Sequence, residues 1–134
     1  MASYHGGAPP SERELEVMSI LWELGSGTVA EVRQALNDAF EPEVAYTTVL
    51  TMLRSLRSKG WVRWDEEGRA HRFHPTVELE TARLMLTRRL VDLLYAGSKE
   101  LLAADLIGGR GLGTPALRRL RRLLDDRLSA GGRG

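Results

Sequence analysis

Apolar residues recur along this chain at helical spacing, interrupted once by a stretch with the alternation of strands. Leu15, Met18, Leu21 and Trp22 repeat at three- and four-residue steps behind Ser11 and Glu14, which form a capping-box pair. Gly25–Gly27 ends that helix. Thr28 and Glu31 form a second capping box, ahead of a short helix whose buried stripe is Val32, Ala35 and Leu36. Asn37–Glu43, with Pro42, reads as a loop. A third helix over Ala45–Gly60 places Val49, Met52, Leu53 and Leu56 on one side and closes at Gly60, a natural C′ position. Trp61–Trp64 and Ala70–His74 then flank Asp65-Glu66-Glu67-Gly68, which predicts a β-hairpin with a four- or five-residue turn. Trp22, Trp61 and Phe73 are assigned to the core.

Beyond Pro75 the pattern is helical again. Leu79, Ala82, Met85 or Leu86, Leu90 and Leu93 predict a long amphipathic helix over Val77–Ala96, followed by a second helix over Ser98–Ile107 closed by Gly108. After a glycine-rich break at Gly108–Gly113, Thr114 caps a last helix with Pro115 at its first position. That helix carries Leu117, Leu120, Leu124 and Leu128. Three helices with few aromatic residues hold too little material for a core of their own, whereas a second copy would bury their stripes. The candidate dimerisation residues are Leu79, Leu86, Leu90, Leu93, Leu117, Leu120 and Leu124. The element order predicts a mainly α fold with a small β-hairpin wing: a winged helix-turn-helix domain plus a helical dimerisation domain. Residues 1–10 are expected as a flexible tail, 11–75 as the winged domain, 76–129 as the dimerisation domain and 130–134 as a second flexible tail.

Charge changes the picture only locally. The chain of 134 residues carries a formal net charge of +1, which does not announce a nucleic-acid binder. From Ala45 to Pro75, however, six cations face three acids, while Met1–Val44 has two cations against eight acids. Any basic footprint is therefore a patch. Cysteine is absent, which excludes disulfides and thiolate metal sites. No run approaches the roughly 20 apolar residues of a membrane span, and the N-terminus has no signal-peptide architecture, so a cytoplasmic protein without membrane insertion is expected. His71 and His74, three apart on a strand, point to opposite faces, and no metal or cofactor is expected. No catalytic triad, HExxH helix or P-loop is present, so an enzyme reading has no support; Gly109–Gly113 lacks the flanks of a phosphate cradle. Arg118, Arg119, Arg121 and Arg122 offer a second DNA contact or, as the preferred reading, the solvated face of the last helix, paired with Asp125 and Asp126 at i+4.

The polar side of the third helix is more informative. Thr47, Thr51, Arg54 and Ser58 fall within a narrow arc at about 100° per residue, with no acid among them. A solvated helix face normally mixes charge signs, whereas one laid against phosphates does not. Such a face running directly into a hairpin suits a recognition helix followed by a wing. Thr47 and Thr51 can reach base edges or thymine methyls, Arg54 a base or a phosphate, and Thr48 and Ser55 phosphates. Tyr46 either bonds a phosphate or seals the core. In the wing, Arg63, Arg69, His71 and Arg72 are candidates for backbone or minor-groove contact, Arg69 beside the turn foremost.

With Glu14-Leu15-Glu16-Val17-Met18, Leu21-Trp22, Thr28-Val29-Ala30-Glu31-Val32, Ala45-Tyr46-Thr47-Thr48-Val49, Lys59-Gly60 and Gly68-Arg69-Ala70-His71-Arg72-Phe73, the chain resembles the BlaI/MecI/CopY family of bacterial repressors over about Ser11–Pro75. The resemblance implies a homodimer that binds a palindromic double-stranded operator and represses resistance or stress genes. It carries recognition contacts to Thr47, Thr48 and Thr51, with Arg54 beside the pattern. Copper-responsive members have a C-terminal cysteine motif that this chain lacks. Members answering to β-lactams are cut near an Asn-Phe bond through a membrane metalloprotease sensor pathway; the comparable helix here reads Leu101-Leu102-Ala103-Ala104-Asp105-Leu106. The signal stays open between proteolysis and a small-molecule effector. A winged-helix protein-interaction adaptor is the reading from another class.

Overall fold

The computed structural model describes residues 8–40 and 43–131. The expected tails before residue 8 and after residue 131, and Pro42 of the expected loop, lie outside the described residues. Both capping boxes form. At the start of α1 (Glu12–Leu24), the Ser11 N–H donates to Glu14 Oε1 at 2.8 Å and the Glu14 N–H to Ser11 Oγ at 3.2 Å. Thr28 and Glu31 repeat the exchange at the start of α2 (Val29–Ala39), at 2.9 and 3.2 Å. Helix α1 buries a broader face than its spacing suggested, since Val17 and Ile20 join Met18 and Leu21. Helix α2 also runs through Asn37–Ala39, expected as loop, because no residue there breaks it and the Phe40 N–H still reaches the Leu36 carbonyl at 2.9 Å. The Asn37 side chain accepts from the Val44 N–H at 2.9 Å, and Arg33 Nε donates to the Val44 carbonyl at 2.8 Å. The lead-in to α3 (Tyr46–Ser58) is thus tied to α2 at two points.

Helix α3 ends in a Schellman turn. The Trp61 N–H bonds the Leu56 carbonyl, the Gly60 N–H bonds that of Arg57, and Gly60 adopts a φ of 81° that a β-carbon would oppose. The chain emerges into β2 (Val62–Glu67), which pairs with β3 (Ala70–Pro75), and β3 pairs in turn with β1 (Gly27–Thr28), all antiparallel in the order β1-β3-β2. Two expectations are corrected here. Strand β1 has no counterpart in the sequence pattern, because two residues carry no alternation. The hairpin turn is shorter than expected: Glu67 pairs with Ala70, leaving only Gly68-Arg69, and Gly68 at φ 62° supplies the first position of a II′-type turn. Asp65, Glu66 and Glu67 are therefore strand residues.

The chain divides into two compact units between Leu86 and Thr87, within α4 (Leu79–Leu94). The first, a winged helix-turn-helix, packs Val17, Met18, Leu21, Val32, Leu36, Val49, Leu53, Leu56, Trp61 and Phe73 into one core, extended by Val77 and Ala82. Trp22 is half-buried and donates from Nε1 to the Val77 carbonyl at 2.8 Å. Leu86, expected at a dimer contact, packs partly on this core. Pro10 is buried rather than part of a loose tail.

The second unit comprises the rest of α4, α5 (Lys99–Gly108) and α6 (Thr114–Gly131). Val91 is buried, but neither α5 nor α6 contributes a buried residue. Ser98 caps α5, and the Tyr95 hydroxyl donates to Asp105 at 2.9 Å, which raises its pKa by holding the phenolic proton. The expected pairs of Arg121 with Asp125 and Arg122 with Asp126 do not form: among the described residues no ion pair within 4.0 Å involves this unit. Exposed partners gain too little from pairing to overcome side-chain entropy. No helix among the described residues is long and apolar enough to cross a membrane.

Candidate nucleic-acid interface

Helix α3 presents Tyr46, Thr47, Thr48, Thr51 and Arg54 as exposed residues and Ser55 as half-buried, while Val49, Leu53 and Leu56 anchor its other side. Ala45 at the N-cap offers no side-chain acceptor and the first turn holds no acid. The first N–H groups of α3 consequently remain open to an anion. The Thr51 hydroxyl donates back to the Thr47 carbonyl at 2.9 Å, so Thr51 offers a methyl group and acceptor lone pairs, but no free donor. Two acids of α1 border the face: Glu12, which is exposed, and Glu14, which is buried, line a hollow of about 510 Å³ with Thr48, Thr51 and Ser55.

Two interactions that sequence reasoning missed hold α3 in place. Glu14 is buried at 6% exposure, and its Oε1 accepts from Lys59 Nζ at 2.6 Å, clamping the C-terminal end of α3 to the start of α1. Lys59 also donates to the Pro9 carbonyl at 3.3 Å. Burial pushes the Glu14 carboxyl up, but hydrogen bonds from Lys59, Ser55 and the Ser11 N–H, with the Lys59 charge, hold it below its ordinary 4.5. The second interaction fixes the wing. Arg57 lies over the Trp64 ring at 4.7 Å, and His71 stacks on Trp64 with centroids 3.8 Å apart. This stack joins the end of α3 to both strands of the hairpin. The only sequence signal was an aromatic residue mid-strand; its partners come from the fold.

The wing cations differ sharply. Arg69 sits exposed in the two-residue turn with no ion pair among the described residues. Arg63 is exposed, 3.7 Å from Asp65. Arg72 instead joins three elements, meeting Glu67 at 2.8 Å, Glu31 at 3.1 Å and Ser26 Oγ at 3.2 Å. The Glu67 and Glu31 carboxylates raise its pKa, while the Thr28 N–H and then Arg72 lower that of Glu31. His74 lies 3.1 Å from Asp65, on the face of β3 opposite His71. Among the described residues no group of His, Cys, Asp or Glu could hold a metal ion.

Of the other predicted residues, Leu79, Leu90, Leu93, Leu117 and Leu124 are exposed and Leu120 is half-buried. The structure adds Leu94, Leu101, Leu106, Ile107, Leu123 and Leu128 to the exposed apolar surface of the second unit.

A family model described as penicillinase repressor matches residues 10–126. No curated protein matches the chain. Among solved structures, the DNA-binding domain of the repressor BlaI in solution is 31% identical, with a TM-score of 0.47, over 53% of this chain and 84% of that one. The Bacillus licheniformis BlaI monomeric form in complex with the blaP half-operator is 30% identical, with a TM-score of 0.46, over 55% of this chain and 88% of that one. The complex structure of hsRosR-S4 covers 90% of both chains at 16% identity and a TM-score of 0.54, a likeness of fold.

Proposed function

The chain belongs to the penicillinase repressor family and is a DNA-binding transcriptional regulator, and on that premise we propose that it acts as a cytoplasmic homodimeric repressor reading a palindromic operator. The observation that carries this reading is the acid-free, hydroxyl-rich face of α3, uncapped at its N-terminus and clamped at its C-terminus by the Glu14–Lys59 pair. In this proposal Thr47 and Thr51 read base edges and Arg54 a base or phosphate, while Tyr46, Thr48 and Ser55 hold phosphates. Arg69 grips the flanking backbone, and Arg72 orients the wing through its acidic partners. The exposed leucines of the second unit support pairing with a second copy, and two α3 helices would then read half-sites about one helical turn, or a multiple of it, apart.

Release acts on the helical unit. The signal is either proteolysis there, by a membrane metalloprotease sensor pathway, or a small-molecule effector. The experiment is a binding titration of the full chain against a duplex enriched from a random pool and a random duplex. Thr47→Ala with Thr51→Ala should weaken the enriched duplex by about 10- to 100-fold and spare the random one. Arg69→Ala should weaken both alike. Unchanged binding by both variants would remove the recognition-helix assignment.

A further inference from the structure

The net positive charge of this chain does not lie in the unit that holds its recognition helix, although the helix itself is locally basic. Up to Leu86 the sequence has nine cations against thirteen acids; from Thr87 onward it has ten cations against five acids. The winged unit is therefore −4 and the helical unit +5, which together give the chain's +1. Four of those ten cations occupy five consecutive positions on α6: Arg118, Arg119, Arg121 and Arg122. All four are exposed, and with Pro115 they line one open hollow of about 450 Å³. At 100° per residue they sweep an arc of roughly 160°, opposite the leucine face of the same helix. None has an acid within 4.0 Å among the described residues. Four guanidinium groups within about one turn repel one another, and an anion from outside the chain relieves that repulsion.

We propose that this arginine face of α6 is a second phosphate-binding surface for double-stranded DNA. It rests on the DNA-binding reading above. Guanidinium forks match phosphate oxygens in pairs, and an array of them suits a polyanion of regularly spaced phosphates. A winged unit of net charge −4 attracts DNA weakly at long range, so the helical unit supplies the steering and the sequence-independent part of the affinity. Because the leucines occupy the opposite face, a second copy packed on them leaves the arginines free.

The test uses the full chain carrying Arg118→Gln, Arg119→Gln, Arg121→Gln and Arg122→Gln together. Fluorescence anisotropy follows its binding to the enriched and the random duplex from 50 to 200 mM salt. Every phosphate that the variant no longer neutralises makes the slope of log K against log salt shallower by about 0.9. With two phosphates fewer neutralised, the weakening is the same for both duplexes and about tenfold greater at 50 mM salt than at 200 mM. The corresponding four Arg→Lys changes restore the slope, and sedimentation gives an unchanged mass. An unaltered slope, a weakening confined to the enriched duplex, or one that follows a change in mass would each overturn the proposal. If the unaltered chain bound neither duplex, the DNA-binding reading itself would fall; if it bound both and the variant bound equally, only the arginine face would.

Discussion

Leu53 and Leu124 are both leucines on the apolar face of an amphipathic helix, yet Leu53 is fully buried and Leu124 is 57% exposed. The contrast holds for the units around them. Among the described residues, sixteen of the seventeen buried apolar residues precede Thr87, and ten of the fifteen large exposed ones follow Leu86. The winged unit satisfies its own hydrophobic pattern; the helical unit carries on α6 a stripe as regular as that of α3, and its own helices leave that stripe open. Regular spacing thus reports that a face must be covered, and by itself does not say whether the cover is intramolecular.

Paired substitutions break this comparison most directly. Leu53→Ala should lower the unfolding free energy by about 3 kcal/mol, through reduced burial and a residual cavity, with no change in assembly. Leu124→Glu should leave the winged unit folded but halve the sedimenting mass and remove the dependence of melting temperature on protein concentration. Denaturant titration and sedimentation read the two effects separately. A full-mass Leu124→Glu chain would mean that a second copy does not cover this face.

The buried pair gives the next largest effect. Glu14→Gln keeps an acceptor for the Ser11 N–H but leaves Lys59 without its counter-charge, at a cost of about 2 kcal/mol, since Lys59 still reaches some water. The Glu14 carboxyl is held below its unfolded value of 4.5. Its contribution is therefore fully present above pH 4.5 and lost as the pH falls through the depressed folded value. Stability curves of the variant and the parent should separate at pH 7 and converge in acid. Curves that stay parallel down to about pH 3 would show that the pair does not clamp α3.

What could be read before the fold was known follows from range. The two capping boxes, the Gly60 turn and the two faces of α3 involve partners within one or two turns, so spacing alone places them. The Lys59–Glu14 pair joins residues 45 apart in the chain, and the Arg72–Ser26 bond residues 46 apart. No local pattern marks such partners, and so Arg72 reads as a free wing cation although it braces the wing against α2. The turn differs from its expected length for another reason. Asp65-Glu66-Glu67 has turn-like composition, but Gly68 sets the register through its left-handed conformation. The α6 arginines show the same limit in reverse, since local spacing offers i+4 partners that solvated side chains do not take.

The smallest effect concerns Glu12, the exposed one of the two acids that share a hollow with Thr48 and Thr51. A carboxylate there stands beside the phosphates that α3 would meet, and surface charge pairs of this kind are worth about 0.2–1 kcal/mol. Glu12→Gln should tighten binding to enriched and random duplexes alike by about twofold at low salt, and by less as salt screens the repulsion. Glu100→Gln makes the same change of net charge on α5, in the other unit. If position matters, Glu12→Gln should exceed Glu100→Gln; if both tighten binding equally, DNA responds to the charge of the whole chain and not to the border of α3. Anisotropy titrations at about 50 and 150 mM salt distinguish these outcomes and test whether the winged unit, for all its net negative charge, keeps a local electrostatic edge where it reads DNA.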